Sequence, residues 1–322
     1  MRAIRVERTG GPEVLTPAEV EPPRPGRGQV LVRVAAAGVN YVDTYHRSGL
    51  YPGPLPSVPG VEGAGTVVEA GEDVSGLAPG ARVGWAAGPG SYAEQVAVDA
   101  AKTIPLPGGV SEELAAAVLL QGLTAQYLAT STHPVQPGET VLVHAAAGGV
   151  GLLLTQIVKL RGGRVLATVS TEEKAALARG AGADEVIRYD QVDFAAEARR
   201  LTGGEGVAAV YDGVGRTTFD GSLASLRPRG VLVLYGQASG PVPPFEPRRL
   251  QDGGSLFLTR PSLGHHTRTR DELLARAAEV LGWLAAGRLD VRIGGRYPLA
   301  EARRAHEDLE GRRTAGKLLL LP

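Results

Sequence analysis

The 322-residue sequence predicts an α/β protein with two domains, one resembling a β-barrel and one built on a parallel sheet with helices on both faces. A chain of this length exceeds the usual single domain and can bury two cores. Residues 1–120 hold short β-rich segments separated by Pro and Gly, a pattern typical of a compact barrel. From Val141 onward, apolar strands alternate with amphipathic helices five times, which predicts a doubly wound parallel sheet.

The individual elements follow in chain order. Residues 29–35 (QVLVRVA) and 65–68 are strands of the first region, and the five strands of the second are VLVHA, VLATV, EVIRY, AAVYDG and VLVLYG. Residues 271–286 have helical periodicity and end at Gly287, which suits a C-terminal helix cap. The final GKLLLL is again strand-like and lacks a core of its own, so we expect it to pack on the first domain.

Composition excludes several classes of function. No run of about 18 apolar residues is present, so a membrane span is not expected. The charged N-terminal segment does not resemble a signal peptide, and a cytoplasmic location is expected. The 34 basic and 34 acidic residues balance, so no overall field attracts nucleic acid. With no cysteine, disulfides, thiolate nucleophiles and sulfur-based zinc sites are impossible.

A glycine-rich turn at residues 141–151 (VLVHAAAGGVG) joins a buried strand to the helix LLLTQIVKL. This arrangement binds a pyrophosphate, because the free N–H groups and the positive dipole end of the helix point toward it. In the G-x-G-x-x-G pattern, Ala146, Gly148 and Gly151 occupy the glycine positions. The predicted phosphate-binding residues are Ala147, Gly148, Gly149, Val150 and Gly151.

The end of the second strand predicts NADPH as the cofactor. NAD enzymes place an acid there that binds the ribose hydroxyls, whereas residues 168–171 of this chain are Thr-Val-Ser-Thr. Hydroxyls and a following cation favour a 2′-phosphate, and Ser170 and Lys174 are the predicted ligands. Glu172 and Glu173 beside Lys174 weaken this interpretation, and a solvated lysine on the helix face is the alternative.

Five motifs, taken together and in order, resemble the zeta-crystallin-like quinone oxidoreductases, zinc-free members of the medium-chain dehydrogenase/reductase superfamily. They are AGVNYVDTYHRSGLYP, QGLTAQYL, HAAAGGVG, VYDGVG and LFLTRPSL. The resemblance covers essentially the whole chain. It implies a GroES-like β-barrel catalytic domain at 1–121 and 297–322, a Rossmann NADPH-binding domain at 122–296 and an active cleft where they meet. It also implies a homodimer whose Rossmann sheets pair edge to edge near residues 255–259.

The sequence departs from the zinc-dependent alcohol dehydrogenases of the same superfamily at their metal ligands. Asn40 stands where they have a cysteine, and Val61 in Gly60-Val61-Glu62 where they have a histidine. The six histidines show no metal-ligand spacing. No metal is therefore predicted, and the usual route to oxidising unactivated alcohols is absent.

The resemblance also implies the residues of the site. Asn40, Tyr45 and Tyr51 would line the cleft near the nicotinamide, where a tyrosine hydroxyl or the Asn40 amide could bind a developing oxyanion. A packing role for Tyr51 stays open, and Asp43 is expected to bond to backbone within its turn. The remaining predicted cofactor contacts are Thr124, Tyr127, Tyr189, Val214, Tyr235, Gln237, Arg260 and Arg312. For the two arginines, a surface salt bridge is the alternative.

The function implied is NADPH-dependent reduction of a quinone or another electrophilic small molecule in the interdomain cleft, without zinc. Reduction of activated alkenes, such as enals, enones or enoyl thioesters, would use the same machinery. An RNA-binding or structural crystallin-like role is the third hypothesis. Zero net charge and the absence of an aromatic-rich basic stretch argue against nucleic acid as a partner.

Overall fold

Three β-sheets organise the computed structural model, which describes all 322 residues. The chain divides into two compact units, one formed by Met1–Leu123 with Thr267–Pro322 and the other by Thr124–His266. The predicted limits of the catalytic and cofactor domains, 1–121 with 297–322 and 122–296, describe functional domains and stay a prediction.

The first unit opens with short strands and one long strand. Its elements up to the second unit are β1 (Arg2–Arg5), β2 (Thr16–Glu19), β3 (Gln29–Val39), α1 (Tyr41–Ser48), β4 (Glu62–Ala70), β5 (Arg82–Trp85), β6 (Gln95–Asp99), β7 (Ile104–Pro105) and α2 (Glu112–Tyr127), whose residues from Thr124 onward belong to the second unit. Helix α2 continues into a π-helical turn, Leu128–Thr132.

The second unit alternates strands and helices. Its elements are β8 (Thr140–Val143), α3 (Gly149–Leu160), β9 (Arg164–Val169), α4 (Glu172–Gly180), β10 (Glu185–Arg188), α5 (Phe194–Leu201), β11 (Val207–Asp212), α6 (Phe219–Ala224), β12 (Leu226–Leu234), α7 (Arg248–Asp252) and β13 (Phe257–Thr259). The chain then returns to the first unit through α8 (Arg270–Ala285), β14 (Ile293–Pro298), α9 (Ala302–Glu310) and β15 (Lys317–Leu321).

The sheet of the second unit has the strand order β10-β9-β8-β11-β12-β13, and all of its pairs are parallel. This is the 3-2-1-4-5-6 order of a Rossmann fold, in which strand order reverses between the first and fourth strands. The apolar strands are buried on both faces, with Leu142, Leu166 and Leu232 inaccessible to solvent. The predicted Rossmann fold is confirmed, and β13 lies at the expected edge.

The first unit contains a seven-stranded sheet and a separate β1-β2 hairpin. Strand β15 pairs with β3 antiparallel and with β14 parallel, so the GKLLLL tail packs in this unit as predicted. Trp85 and Tyr92 are among its fully buried side chains. The predicted barrel-like region is thereby confirmed. No helix of the chain combines the length and apolar character that a bilayer crossing requires.

Candidate active site

The glycine-rich turn of the second unit has the geometry of an anion site. Strand β8 ends at Val143, and Gly148 is the N-cap of α3. Ala145 adopts a left-handed conformation (φ 49°), and its carbonyl accepts a hydrogen bond from the Gly148 N–H at 2.8 Å. The Ala146 N–H donates to the Thr168 carbonyl at 3.2 Å, which anchors the turn to β9. The first N–H groups of α3 are left available to a ligand.

Gly151 is required for the close approach of this helix to the turn. A Cβ atom there would lie 2.4 Å from the Ala145 carbonyl oxygen and 2.7 Å from the Ala146 Cα. Both atoms belong to the backbone and have little freedom to move. The requirement for glycine at the third glycine position of the motif therefore has a direct steric cause.

No acid stands at the end of β9 itself, where residues 168–171 are Thr-Val-Ser-Thr, and the first acid after the strand is Glu172. Ser170 is partly exposed and precedes Thr171, the N-cap of α4, whose Oγ1 accepts from the Lys174 N–H at 3.2 Å. Lys174 thus lies in the first turn of α4. At the end of β10, the Tyr189 ring is 43% exposed, as a platform for an adenine would be.

Four predicted cofactor residues come together where β11, β12 and β13 end. Asp212 accepts from the Val214 N–H through Oδ1 at 2.8 Å and from the Tyr235 N–H through its carbonyl at 2.9 Å. Arg260 Nη2 donates to Gln237 Oε1 at 3.0 Å. The carboxyl ends of parallel strands are where open α/β sheets bind ligands.

A buried hydrogen-bond network that the sequence did not predict holds these strand ends together. His144 Nδ1 lies 2.8 Å from Thr168 Oγ1, and Nε2 lies 3.0 Å from Ser222 Oγ. Ser222 donates its proton to Asp212 Oδ2 at 2.8 Å, so its oxygen accepts from His144 Nε2–H. Thr168 therefore donates to Nδ1. Burial lowers the pKa of His144, with Asp212 acting in the opposite direction, which favours the neutral ring.

Thr124 and Tyr127 lie on α2 and are buried. The Tyr127 ring is 2% exposed and stacks on His266, with centroids 4.2 Å apart and planes 7° from parallel. Burial raises the pKa of its hydroxyl. Their predicted cofactor contacts stay predictions.

In the first unit, helix α1 and the loop after it carry the predicted tyrosines. The Tyr45 and Tyr51 rings meet at 5.2 Å with an edge-on geometry, and the Tyr51 N–H donates to the Tyr45 carbonyl at 3.0 Å. Tyr41 extends the cluster, 6.5 Å from Tyr45. Burial raises the pKa of Tyr41, and the nearby Arg312 guanidinium partly offsets that rise. The structure thus brings Arg312 near Tyr41.

Asn40 precedes α1 as its N-cap and is only 3% exposed. Its Nδ2 donates to the Gly38 carbonyl and to Glu62 Oε2, each at 3.1 Å. Its Oδ1 accepts from Gln121 Nε2 and, at 2.6 Å, from Lys317 Nζ. Since both amide hydrogens are engaged, Asn40 could bind an oxyanion only by breaking one of these bonds.

The Lys317 ammonium and the Glu62 carboxylate form a buried ion pair at the centre of this network. Glu62 also accepts from the Leu120 N–H through Oε1 at 2.6 Å. Burial lowers the pKa of Lys317, and Glu62 opposes that effect. Both Glu62 oxygens thus accept hydrogen bonds, and the Lys317 ammonium donates to Glu62 and Asn40, which offsets part of the cost of burying the pair.

A second arm of the network runs from Asn40 to Arg47 through buried side chains. Asp43 Oδ2 accepts from the Asn40 N–H at 2.8 Å, the backbone bond expected for it, and from the Tyr92 hydroxyl at 3.0 Å. His306 Nε2 lies 3.0 Å from the Tyr92 oxygen, and its Nδ1 lies 3.0 Å from Arg47 Nη1. Because arginine only donates, Nδ1 is the acceptor and Nε2–H donates to Tyr92.

Asp43 and His306, two titratable groups of this arm, have strongly shifted pKa values. Burial raises the pKa of Asp43 to about 6, against the hydrogen bond from the Asn40 backbone. Burial, with the Arg47 charge, lowers the pKa of His306 to about 3. Asp43 Oδ1 is buried without a hydrogen-bond partner, which is consistent with a carboxyl that resists ionisation.

Comparison with known proteins places this geometry in a family. A model of the alcohol dehydrogenase GroES-like domain matches residues 26–108, and a model described as zinc-binding dehydrogenase matches residues 181–320. A quinone oxidoreductase of Pseudomonas aeruginosa is 46% identical over 100% of this chain and 99% of its own length. The chain belongs to the quinone oxidoreductase family. The predicted resemblance is confirmed.

Further similar proteins include a relative named for another substrate and two structures solved with NADPH bound. A 2-haloacrylate reductase of Burkholderia is 42% identical over 99% of this chain and 98% of its own. A mycobacterial protein solved in complex with NADPH has a TM-score of 0.98 and 53% identity, with both chains fully covered. The Escherichia coli quinone oxidoreductase complexed with NADPH also gives 0.98, with 42% identity over the full length of both chains.

The residues at the zinc-ligand positions of related dehydrogenases do not fit zinc in this member of the quinone oxidoreductase family. Asn40 is saturated by hydrogen bonds, one of them from the Lys317 ammonium, and a second cation beside that ammonium would be repelled. Across all 322 residues, no three His, Cys, Asp or Glu side chains group as metal ligands.

Asn40, Asp43 and Arg47 form one buried polar network with five residues that were not predicted from the sequence, and we call this network the polar centre. The five residues are Lys317, Glu62, Gln121, Tyr92 and His306. One signal was available, since Lys317 begins an apolar strand and is one of only four lysines. A charge at such a position needs a buried partner. The partner itself lies 255 residues away, and no local pattern identifies it.

Proposed function

We propose that this chain catalyses the NADPH-dependent reduction of quinones without a metal ion. The observation that carries the proposal is the full-length similarity, at 46% identity, to a quinone oxidoreductase. The two NADPH complexes with TM-scores of 0.98 support the choice of cofactor. The residues after β9, which include Ser170 and no acid until Glu172, favour the same choice.

We propose that NADPH binds to the second unit through the following groups. The backbone of the turn at residues 147–151, which Gly151 keeps close to the helix, would bind the pyrophosphate. Ser170 and Lys174 would bind the 2′-phosphate, and Tyr189 would pack on the adenine. Val214, Tyr235, Gln237 and Arg260 would contact the nicotinamide half. NADPH, when bound, supplies a hydride.

The first unit would supply the acceptor-binding groups. Two-electron reduction of a quinone adds one hydride and one proton, so a group must stabilise the oxygen that gains negative charge. We propose that the hydroxyl of Tyr45 or Tyr51 donates a hydrogen bond to this oxygen. The proton then comes from that hydroxyl or from water. Asn40, with both amide hydrogens engaged, acts instead by holding the start of α1 in place.

Without a metal, the acceptor itself must be electrophilic, and catalysis depends on proximity and orientation. Quinones meet this condition. Activated alkenes meet it too, and the 42% identity to a 2-haloacrylate reductase makes them the second candidate. An enal, enone or enoyl thioester would accept the hydride at carbon and the proton at the adjacent atom.

The test is NADPH and NADH oxidation by the purified protein with a benzoquinone, a naphthoquinone, an enal and an enoyl thioester, each with and without a chelator. We expect quinone turnover that prefers NADPH and is unchanged by the chelator. Turnover restricted to alkenes would support the second candidate. Loss of activity with the chelator would contradict the metal-free mechanism.

A variant pair tests the tyrosines. Tyr51→Phe should lower kcat for quinone about tenfold if its hydroxyl stabilises the developing charge. Tyr297→Phe is the control, because that hydroxyl binds Asp308 at 2.9 Å within another part of the first unit. If Tyr51→Phe and Tyr45→Phe both retain full kcat, neither hydroxyl has the proposed role.

We further propose that two copies pair through β13. This edge strand of the parallel sheet carries Phe257, which is 58% exposed and is the most exposed of the large apolar side chains. An open edge with an apolar side chain is suited to pairing with its own copy. Phe257→Asp should yield a monomer in light scattering, and an unchanged mass would contradict this interface. The cytoplasmic location stays a prediction.

A further inference from the structure

Charged residues of both signs surround the end of β9, where Ser170 and Lys174 are proposed to bind a 2′-phosphate. Two acids and two arginines there form ion pairs with each other. They are Glu172, Asp190, Arg179 and Arg188.

Arg188 occupies the central position among these four. It is the last residue of β10 and pairs in register with Val169, the residue before Ser170. The next N–H along the chain, that of Tyr189, donates to the Val169 carbonyl at 3.2 Å. Arg188 is therefore fixed beside the strand end that the 2′-phosphate would approach.

Its guanidinium binds both acids. Nε and Nη2 donate to the two oxygens of Asp190 at 2.8 and 2.7 Å, and Nη1 donates to Glu172 Oε2 at 3.4 Å. The Arg188 side chain is 20% exposed, whereas that of Glu172 is 68% exposed. Arg179 Nη1 binds the other oxygen of Glu172 at 2.7 Å.

Both acids stay ionised. The hydrogen bond from Arg179 lowers the pKa of Glu172, and that from Arg188 lowers the pKa of Asp190. Protonation therefore does not remove their charges near neutral pH, and the arginines to which they are bound offset them. A phosphate brought to this strand end would otherwise meet two uncompensated carboxylates.

We propose that Arg188 is a positioning residue for cofactor specificity, which holds Asp190 and Glu172 and offsets their charge so that Ser170 and Lys174 can bind a 2′-phosphate. This inference rests on the proposed NADPH-dependent function. NADH has no 2′-phosphate, so Arg188 matters for NADPH far more than for NADH. Arg188 acts through the two acids and not by contact with the cofactor.

The test compares kcat and KM for NADPH and NADH, with one benzoquinone, in four proteins: wild type, R188Q, E172Q/D190N and E172Q/D190N/R188Q. R188Q should raise KM for NADPH about threefold to tenfold, leave kcat unchanged and change KM for NADH less than about twofold. With both acids neutral, adding R188Q should have no further effect. R200Q is the matched control, since Arg200 pairs with Glu197 on α5.

Two results would overturn the proposal. If R188Q impairs NADPH use equally in the background without acids, Arg188 contacts the phosphate itself. If R188Q raises KM for NADPH and NADH alike, its role is structural. Failure of the proposed function would be seen separately, because the wild type would then use NADH as well as NADPH or would not reduce the quinone.

Discussion

The glycine-rich turn of the second unit and the polar centre of the first are built on opposite principles. The turn would bind a pyrophosphate through backbone N–H groups, and its side chains are small so that the helix can approach the strand. The polar centre is made of charged side chains from distant parts of the chain, such as Glu62 and Lys317. From this difference we infer that the turn tolerates a change of side chain except where a Cβ atom would collide with backbone atoms, as at Gly151. The buried charge network, in contrast, should lose stability when any one of its side chains is removed.

Among the changes that test this comparison, removal of the buried Lys317 ammonium should therefore have the largest effect on stability. Lys317→Met leaves the Glu62 carboxylate and Asn40 Oδ1 without the donor they share. We expect the free energy of unfolding to fall by about 3–5 kcal/mol, the usual cost of breaking a buried pair. Urea unfolding followed by circular dichroism measures it.

Two further variants show whether the charge is the cause. Lys317→Met with Glu62→Gln should recover most of the lost stability, because no unpaired charge remains buried. Lys102→Met is the control, since Lys102 is half exposed and pairs weakly with Asp99 at 3.4 Å. An additive loss in the double variant would show that packing, and not charge, determines the stability of this region.

At the turn, a single methyl group should be enough to disturb binding. Gly151→Ala places a Cβ atom 2.4 Å from the Ala145 carbonyl oxygen, so the helix or the turn must shift. We expect a loss of about 1–3 kcal/mol in stability and at least about tenfold weaker NADPH binding, measured by fluorescence titration. Gly282→Ala in α8 meets no atom within 4 Å and should be neutral or stabilising. Unchanged NADPH affinity in Gly151→Ala would contradict the proposed site.

These two regions also show which features of the structure could be predicted from the sequence and which could not. The strand-turn-helix pattern at residues 141–151 is local, so periodicity and glycine spacing predicted both the Rossmann fold and Gly151. The His144 network joins residues 24 and 78 positions apart, and the bond between Arg47 and His306 spans 259 positions. Such pairs depend on tertiary packing, which no local pattern encodes. The saturation of the Asn40 amide also became visible only once all of its partners were in place.

The Tyr92 hydroxyl offers a smaller test of the polar centre. It donates to Asp43 and accepts from His306, so Tyr92→Phe leaves a buried N–H without an acceptor. We expect a loss of about 1–3 kcal/mol in thermal or urea unfolding. Tyr297→Phe, whose hydroxyl is part-buried and binds Asp308, should cost less. Equal losses of stability in Tyr92→Phe and Tyr297→Phe would mean that hydrogen bonds of the buried Tyr92 hydroxyl contribute no more than the bond of the part-buried Tyr297 hydroxyl.

The smallest net effect in the wild type concerns pH, where Asp43 and His306 act in opposite directions. With a folded pKa of about 6 against 3.8, Asp43 keeps its proton longer in the folded state, so its contribution to stability falls as pH rises from about 4 to 6. His306, with a folded pKa of about 3 against 6.5, takes up a proton more readily when unfolded, so its contribution rises with pH over the same window. The two slopes largely cancel in the wild type.

In Asp43→Asn, of these two groups only His306 should still make the free energy of unfolding change with pH. The amide oxygen can still accept from the Asn40 N–H and the Tyr92 hydroxyl, so the fold is retained. Relative to wild type, the free energy of unfolding should rise between pH 4 and 6 by up to about 1.4 kcal/mol per pH unit, in urea titrations at each pH. Asp271→Asn, at an exposed position of α8, should give a curve parallel to wild type. Parallel curves for Asp43→Asn as well would show that Asp43 is ionised throughout this range, and that the hydrogen bonds from Asn40 and Tyr92 outweigh its burial.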